Sequence, residues 1–190
     1  TAVGDEGVAN LRNLSELRVL SLSYTEISDQ ALGYISELKK LEVLDLWKTR
    51  VTNAGLRHVR KLKNLKMFSI NNTQVDDEGL RHLSALRNLE ILGLSDPDVT
   101  DEGLKHLETL DNLRELSLFE AQVSDAGLKH LAEHKQLRQL DLRDTNVTDA
   151  GLKHLHGLKN LRELWLEHTL VTPSGVREIK KAIPELEVKR

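Results

Sequence analysis

The chain has no cysteine, few aromatic residues and no long apolar run. Its 190 residues include no Cys, and 3% of them are aromatic. The lack of cysteine excludes a disulfide framework, a thiolate zinc site and a cysteine nucleophile. No apolar stretch approaches the roughly 18 residues that a membrane-spanning helix requires. These absences leave the cellular compartment open.

The chain also has no large net charge of one sign. It carries 27 Lys and Arg residues against 30 Asp and Glu residues, which gives a formal net charge of −3. Such a balance provides no overall basic field to attract a phosphate backbone. We therefore predict no nucleic-acid partner and no membrane insertion.

One pattern fills the sequence and recurs seven times at an interval of 24 residues. Each copy contains an alternating apolar pair such as Leu20 and Leu22, which is typical of a short strand with one buried face. Self-similarity at a fixed period of this length indicates a repeat architecture. The first apolar position of the seven copies holds Leu14, Leu38, Leu62, Leu86, Leu110, His134 and Leu158.

The second half of each copy has the apolar spacing of a helix. In residues 147–155 the apolar side chains fall three or four positions apart. Thr148 and Asp149 supply a capping oxygen and a negative charge for the start of that helix. A glycine such as Gly151 recurs in the first turn, although glycine disfavours helix interiors. We expect it to permit close approach of the helix backbone to the strand layer.

The combined pattern, L-x-x-L-x-L-x-x-T followed by V-T-D-x-G-L-x-x-L, resembles a leucine-rich repeat. The sub-type is similar to the GALA-like and cysteine-containing-like repeats of bacterial leucine-rich-repeat proteins and of F-box substrate adaptors. The resemblance implies an α/β fold: a right-handed solenoid with a parallel sheet on its concave side and helices on its convex side. Stacked copies would bury a continuous core that no single copy could form.

The pattern predicts one leucine-rich-repeat domain over residues 1–190. Residues 1–13 form a partial first repeat, residues 14–181 seven full repeats, and residues 182–190 a half-repeat whose strand closes the sheet. The first complete strand, predicted at residues 19–23, has an unpaired edge, which is a liability for a parallel sheet. We therefore expect further repeats or a domain upstream in a longer chain.

The positions that vary between copies are candidates for binding, because the fold does not require them. Side chains alternate across a strand, so the residues between the buried leucines face outward on the concave side. Four of the six aromatic residues fall there, and aromatic residues dominate binding hot spots. The candidate partner-binding residues are Tyr24, Asp45, Trp47, Asn71, Asp96, Glu115, Phe119, Glu120, Asp141, Arg143, Glu163, Trp165 and Glu167.

We predict a non-catalytic module that binds a protein or peptide on the concave face. The many acids there favour a partner with a basic and apolar surface. An alternative is an assembly spacer, or the substrate-selecting arm of a larger protein such as an F-box-type ubiquitin-ligase adaptor. A second alternative for the aromatic residues is a purely structural lid on the sheet. The segment from His130 to His134 has the spacing of a zinc-protease motif, but the repeat itself generates His130, so we predict no metal and no cofactor.

Overall fold

Eight short parallel strands form one open sheet in which each strand pairs with the next along the chain. The structure is a computed structural model and describes residues 3–96 and 98–190. Leu20 pairs with Leu44, 24 positions later, so the repeat period sets the register. The strands are β1 (Val19–Ser21), β2 (Val43–Asp45), β3 (Met67–Ser69), β4 (Ile91–Gly93), β5 (Glu115–Ser117), β6 (Gln139–Asp141), β7 (Glu163–Trp165) and β8 (Glu187–Lys189).

Strand β1 ends at Ser21, two residues earlier than the sequence predicted. The interstrand hydrogen bonds nevertheless continue, because the amide of Leu22 donates to the carbonyl of Asp45 at 2.8 Å and that of Tyr24 to the carbonyl of Trp47 at 2.9 Å. Tyr24 has a φ of 57°, in the left-handed region that bends the chain out of the sheet. The equivalent residues Lys48, Asn72, Glu120, Asp144 and His168 have the same conformation.

The helices lie on the opposite side of the core from the exposed sheet face. They are α1 (Asp5–Ala9), α2 (Asp29–Ile35), α3 (Asn53–Val59), α4 (Asp77–Leu80), α5 (Asp101–Leu104), α6 (Asp125–Leu128), α7 (Asp149–Leu152) and α8 (Pro173–Ala182). In α4 to α7 the predicted helix is a single α-turn that continues as a 3₁₀ segment, such as Lys153–Leu155. A 3₁₀ helix rises about 2.0 Å per residue against 1.5 Å for an α-helix, so the chain returns to the sheet with fewer residues. Among the described residues no helix is long and apolar enough to cross a membrane.

The buried leucines form a continuous core between the sheet and the helices. Leu44, Leu65 and Phe68 are buried, as are their equivalents in the second to seventh copies, whereas Leu17 and Leu20 of the first copy are only partly buried. Burial of a leucine side chain contributes roughly 1.5–3 kcal/mol, so this core is the main source of stability.

A ladder of aspartates joins the start of each helix to the next copy. Asp125, at the first position of α6, accepts hydrogen bonds from the amide of Thr148 at 2.8 Å and from its hydroxyl at 2.6 Å. Thr148 in turn caps α7. The same pair of bonds joins Asp5 to Ser28, Asp29 to Thr52, Asp77 to Thr100, Asp101 to Ser124 and Asp149 to Thr172. We call these pairs the aspartate ladder.

The ladder explains the recurring glycine and corrects the expectation from the sequence. A Cβ atom added at Gly151 would lie 2.3 Å from Oδ1 of Asp125. The close neighbour of the glycine is therefore the ladder carboxylate of the preceding copy, and not the strand layer. A side chain at this position would displace the carboxylate from the threonine that it holds.

In one rung of the ladder the carboxylate and the neutral partner have changed places, and we call it the exchanged rung. Asn53 stands where the other copies have an aspartate, and Asp76 stands where they have a serine or threonine. The Asn53 amide nitrogen donates to the Asp76 carboxylate at 2.7 Å, and the Asp76 backbone amide donates to the Asn53 side-chain oxygen at 3.0 Å. Because both partners changed, the rung still joins one donor to one carboxylate.

Candidate binding surface

The concave face is the solvent-facing side of the sheet together with the residues that follow each strand. At its amino end, Tyr24 and Trp47 form an edge-to-face pair with ring centroids 4.7 Å apart. The ammonium of Lys48 lies 5.2 Å from the centre of the Tyr24 ring. Tyr24 is 54% exposed and Trp47 is 40% exposed. Two adjacent aromatic rings therefore remain open to solvent at this end.

Where the fifth and sixth copies meet, the ion pair of Arg143 with Asp141 covers the ring of Phe119. Arg143 donates from Nε to Asp141 Oδ1 at 2.9 Å and from Nη2 to Oδ2 at 2.6 Å. Its guanidinium also lies 5.1 Å from the centre of the half-buried Phe119 ring. The hydrogen bonds to Asp141 raise the pKa of Arg143. Phe119 is thus partly screened, and Asp141 is already neutralised within the chain.

The last two strands hold a similar arrangement. Lys189 lies 4.6 Å from the centre of the Trp165 ring and donates to Glu163 at 2.8 Å. That hydrogen bond lowers the pKa of Glu163 and raises the pKa of Lys189. Gln139 also donates to Glu163, at 3.1 Å. Trp165 is half-buried, so neither tryptophan is sunk within the core.

These contacts change the acidic character that the sequence predicted for the concave face. Asp141 and Glu163 have basic partners within the chain, and Asp45 accepts hydrogen bonds from the Ser21 hydroxyl and the Trp47 amide. By contrast, no hydrogen bond or ion pair engages the carboxylates of Glu115 and Glu120 among the described residues. The uncompensated negative charge is therefore smaller and more local than the count of acids suggested.

Two other candidate acids, Asp96 and Glu167, are buried or half-buried and are not fully exposed to solvent. Asp96, expected at the open edge of the face, is only 3% exposed and accepts hydrogen bonds from the amides of Thr73 and Asp98 at 3.1 Å. Burial raises its pKa. Asp96 is therefore occupied by these two amides within the chain, and the prediction that it is available to a partner is wrong. Glu167 is half-buried, and its Oε2 atom is buried without a hydrogen-bond partner among the described residues.

A depression of about 380 Å³ lies in the middle of the concave face. The third positions of strands β1 to β7 face outward, and we call them the second outward row. This row forms the floor of the depression, where β3, β4 and β5 carry the small residues Ser69, Gly93 and Ser117. Asn71 borders the depression, and its side-chain oxygen accepts a hydrogen bond from the amide of Ser95 at 2.8 Å. The other lining residues are Met67, Phe68, Ile91, Leu92, Glu115, Leu116, Gln139, Asp141, Arg143 and Trp165. The candidate residues Asn71, Glu115, Asp141, Arg143 and Trp165 thus meet at one place, whereas Tyr24, Trp47, Phe119 and Glu120 are not part of its lining.

The sequence did not identify the floor of this depression. In the second outward row, Gly93 is a glycine where the other strands from β1 to β7 have serine, aspartate or tryptophan. This exception is the feature of the sequence that could have indicated a depression. A Cβ atom at Gly93 would lie 2.7 Å from Oδ1 of Asn71. The missing side chain therefore both deepens the surface and leaves room for Asn71.

The two histidines with the spacing of a zinc-protease motif, His130 and His134, have different contacts and burial. His130 lies 2.6 Å from Glu108, through Nδ1. His134 is 2% exposed, and its Nε2 atom lies 3.1 Å from the carbonyl of Leu107. Burial lowers the pKa of His134. The part of the chain that the structure describes contains no cluster of three His, Asp or Glu residues able to hold a metal ion.

Comparison with known proteins identifies the family. The sequence model of the leucine-rich repeat region matches residues 2–169, which is most of the chain. The chain therefore belongs to the leucine-rich repeat family. No curated protein matches the chain.

Solved structures share the fold at low sequence identity. An internalin, inlF of Listeria monocytogenes, superposes with a TM-score of 0.80 at 23% identity, over 96% of this chain and 50% of its own. Internalin C2 of the same organism gives 0.78 at 27% identity, over 100% of this chain and 77% of its own. The plant peptide hormone receptor RGFR1, in complex with RGF2, gives 0.60 at 18% identity, over 95% and 33%. The chain thus spans about half the length of inlF.

Proposed function

We propose that the chain is a non-catalytic module that binds a protein or an extended peptide on its concave face. The observation that carries this proposal is the combination of an exposed aromatic pair, Tyr24 and Trp47, with a central depression that Trp165 lines. Parallel strands are spaced by about 4.8 Å, so Trp47 on the second copy and Trp165 on the seventh are separated by about 24 Å. A surface of this width suits a protein or an extended peptide better than a small substrate.

The fold of the family supports this use. Leucine-rich repeats serve in protein binding, and the peptide hormone receptor RGFR1 is one structure with the same fold. The proposed partner presents an apolar segment beside basic groups, because the free concave carboxylates, Glu115 and Glu120, have no partner among the described residues. Complementary charge of this kind mainly contributes specificity and association rate.

Selection from a random peptide display library tests the proposal. The wild-type chain should enrich a peptide family whose binding is lost in the Trp47→Ala, Phe119→Ala, Trp165→Ala triple variant. Each aromatic anchor should contribute more than about 1 kcal/mol of binding free energy. The matched control is Leu170→Ala, which removes an apolar side chain that is 64% exposed in a turn outside the candidate surface. Peptides that bind the triple variant as tightly as the wild type would exclude the concave face.

A second candidate function is assembly through the open edge of the sheet. Within residues 3–96 and 98–190 strand β1 pairs only with β2, and the nearby Leu14 and Val19 are 49% and 61% exposed. Self-association measured by sedimentation should then be reduced by Val19→Lys and unaffected by the concave triple variant. A strictly monomeric chain at high concentration would exclude this use.

A further inference from the structure

The central depression has one charged group that no described residue compensates. Asp141 and Arg143 both line the depression, but they neutralise each other through two hydrogen bonds. Glu115 is the remaining charged residue of the lining, and no hydrogen bond or ion pair engages its carboxylate among the described residues. The lining therefore carries one net negative charge, located at Glu115.

The walls beside that carboxylate are apolar. Glu115 pairs across the sheet with Ile91, and Ile91 pairs with Met67, so the three side chains form one outward row. An aliphatic row that ends in a carboxylate matches a lysine or arginine side chain, because such a side chain packs its methylene stem on apolar surface while its charged head meets an acceptor.

The floor gives such a side chain depth and a further acceptor. Ser69, Gly93 and Ser117 lie in register across β3 to β5, and none of them projects a large side chain. Ser117 shares a hydrogen bond of 2.9 Å with Ser95, whereas the hydroxyl of Ser69 has no hydrogen bond among the described residues. A cationic head group carries three or five donors, so a hydroxyl on the floor can accept a donor that the Glu115 carboxylate leaves free.

We propose that the depression is a subsite for one lysine or arginine side chain of the bound partner, with Glu115 as its counter-charge. This inference rests on the proposed use of the concave face for binding. It adds that specificity for a cationic residue comes from one position in the fifth copy, and not from a diffuse acidic surface. Glu115 is then a specificity-determining residue.

The direct test uses single amino-acid probes and amide chemical shifts. N-acetyl-arginine amide and N-acetyl-lysine amide are titrated to about 50 mM, a range that detects affinities near 10 mM. The amides of Glu115, Gly93 and Ser69 should shift, whereas the neutral isostere N-acetyl-citrulline amide should leave them unchanged. Equal shifts with citrulline, no shift with either cation, or shifts located elsewhere would each overturn the subsite.

A pair of charge-matched variants separates the subsite from general acidity. Glu115→Gln should weaken probe binding about tenfold, as expected for loss of a charged hydrogen-bond partner. Asp111→Asn removes the same charge from the same copy, at an exposed residue outside the depression and the candidate surface, and should leave binding within about twofold of the wild type. Both variants should unfold at the wild-type temperature, because neither carboxylate has a hydrogen-bond or ion-pair partner in the described part of the chain. An equal loss in the two variants would show long-range attraction and overturn the assignment.

The peptide selection distinguishes failure of this inference from failure of the proposed function. Wild-type chain should enrich peptides with Lys or Arg at one fixed position, and Glu115→Gln chain should enrich peptides without that preference. Concave-face binders selected without any basic residue would overturn the subsite and leave the proposed function intact. Peptides that ignore the concave triple variant would overturn the proposed function itself.

Discussion

The aspartate ladder and the concave face are built from the same 24-residue copies, yet they differ in how closely the copies agree. In the ladder, six of the described rungs use the same Asp with the same Ser or Thr. On the concave face, the second outward row changes from aspartate to serine, glycine and tryptophan. Positions that the stacking geometry requires are thus repeated, whereas positions that stacking leaves free have diversified.

Breaking one rung should give the largest loss of stability. In Asp125→Ala the amide and hydroxyl of Thr148 lose their shared acceptor. Because both bonds involve a carboxylate, we expect the free energy of unfolding to fall by about 2–3 kcal/mol in urea denaturation. Concave-face binding should not change.

The neighbouring glycine sharpens this test. Gly151→Ala should destabilise the wild type, because the new Cβ would lie 2.3 Å from Asp125 Oδ1, but it should cost less in the Asp125→Ala background. Asp111→Ala, at an exposed aspartate without a hydrogen bond among the described residues, is the control. Additive effects of the two ladder substitutions would contradict the assigned contact.

Replacing the buried His134 by the leucine of the other copies should increase stability. His134 occupies a position that holds a buried leucine in five other copies, and its Nδ1 atom is buried without a partner. In His134→Leu we expect unfolding to require about 1–2 kcal/mol more at pH 7.5, from the added apolar burial and the loss of an unpaired polar atom. The carbonyl of Leu107 keeps a donor, because the amide of Leu110 also bonds to it at 2.8 Å.

The gain from His134→Leu should grow on the acid side. Burial lowers the pKa of His134 in the folded state, so below about pH 6.5 the unfolded chain binds the proton that the folded chain excludes. Wild-type stability therefore falls as the pH drops through that value, and the variant lacks this share of the loss. Urea denaturation at pH 7.5 and pH 5.0 measures the difference. A gain that is the same at both pH values would contradict the burial of a neutral imidazole.

In the exchanged rung we expect substitutions of Asn53 and Asp76 to be coupled, with a smaller effect on the free energy of unfolding. Asn53→Asp places two carboxylates in contact and should cost about 1 kcal/mol. Adding Asp76→Thr recreates the rung of the other copies and should restore wild-type stability. Asn146→Asp adds the same charge at an exposed site and serves as the control. A double variant as unstable as the single variant would show that the two residues do not act together.

The smallest expected effects on stability come from the concave aromatic residues. Trp47→Ala should cost about 0.5 kcal/mol, because its ring is exposed and contacts mainly Tyr24. Trp165→Ala should cost more, about 1 kcal/mol, because its ring is half-buried and packs against Lys189. Thermal unfolding measures both. Collapse of the fold in either variant would assign that tryptophan to the scaffold.

The fold was predictable from the sequence because the buried leucines must recur at every turn of the solenoid. Residues such as Leu20, Leu44 and Phe68 indicated both the strands and their register, and the family match confirms the repeat. The lengths of the elements were less accessible. The change from α to 3₁₀ winding after Leu152 leaves the apolar spacing nearly unaltered, so the sequence pattern does not distinguish the two.

The sequence predicted which face of the sheet carries the candidate site, but not how the side chains on that face are arranged. Alternation places Trp47, Glu115 and Trp165 on the outside of the sheet, but it does not show which acids find partners within the chain. The pairs Arg143 with Asp141 and Lys189 with Glu163 depend on side-chain conformations and on neighbouring strands. The burial of Asp96 accompanies its hydrogen bonds from the amides of Thr73 and Asp98, which the sequence pattern does not indicate. These are properties of packing in three dimensions, which periodicity does not encode.

The exchanged rung also limits how the copies can be rearranged. A copy whose rungs are of the common kind could be duplicated or deleted, and the flanking copies would still meet with compatible chemistry. Asn53 and Asp76 lie in different copies and fit each other, so recombination that separates them would bring two carboxylates, or two neutral groups, face to face. Any shuffling of this chain that preserves its stability must therefore carry those two copies as a unit.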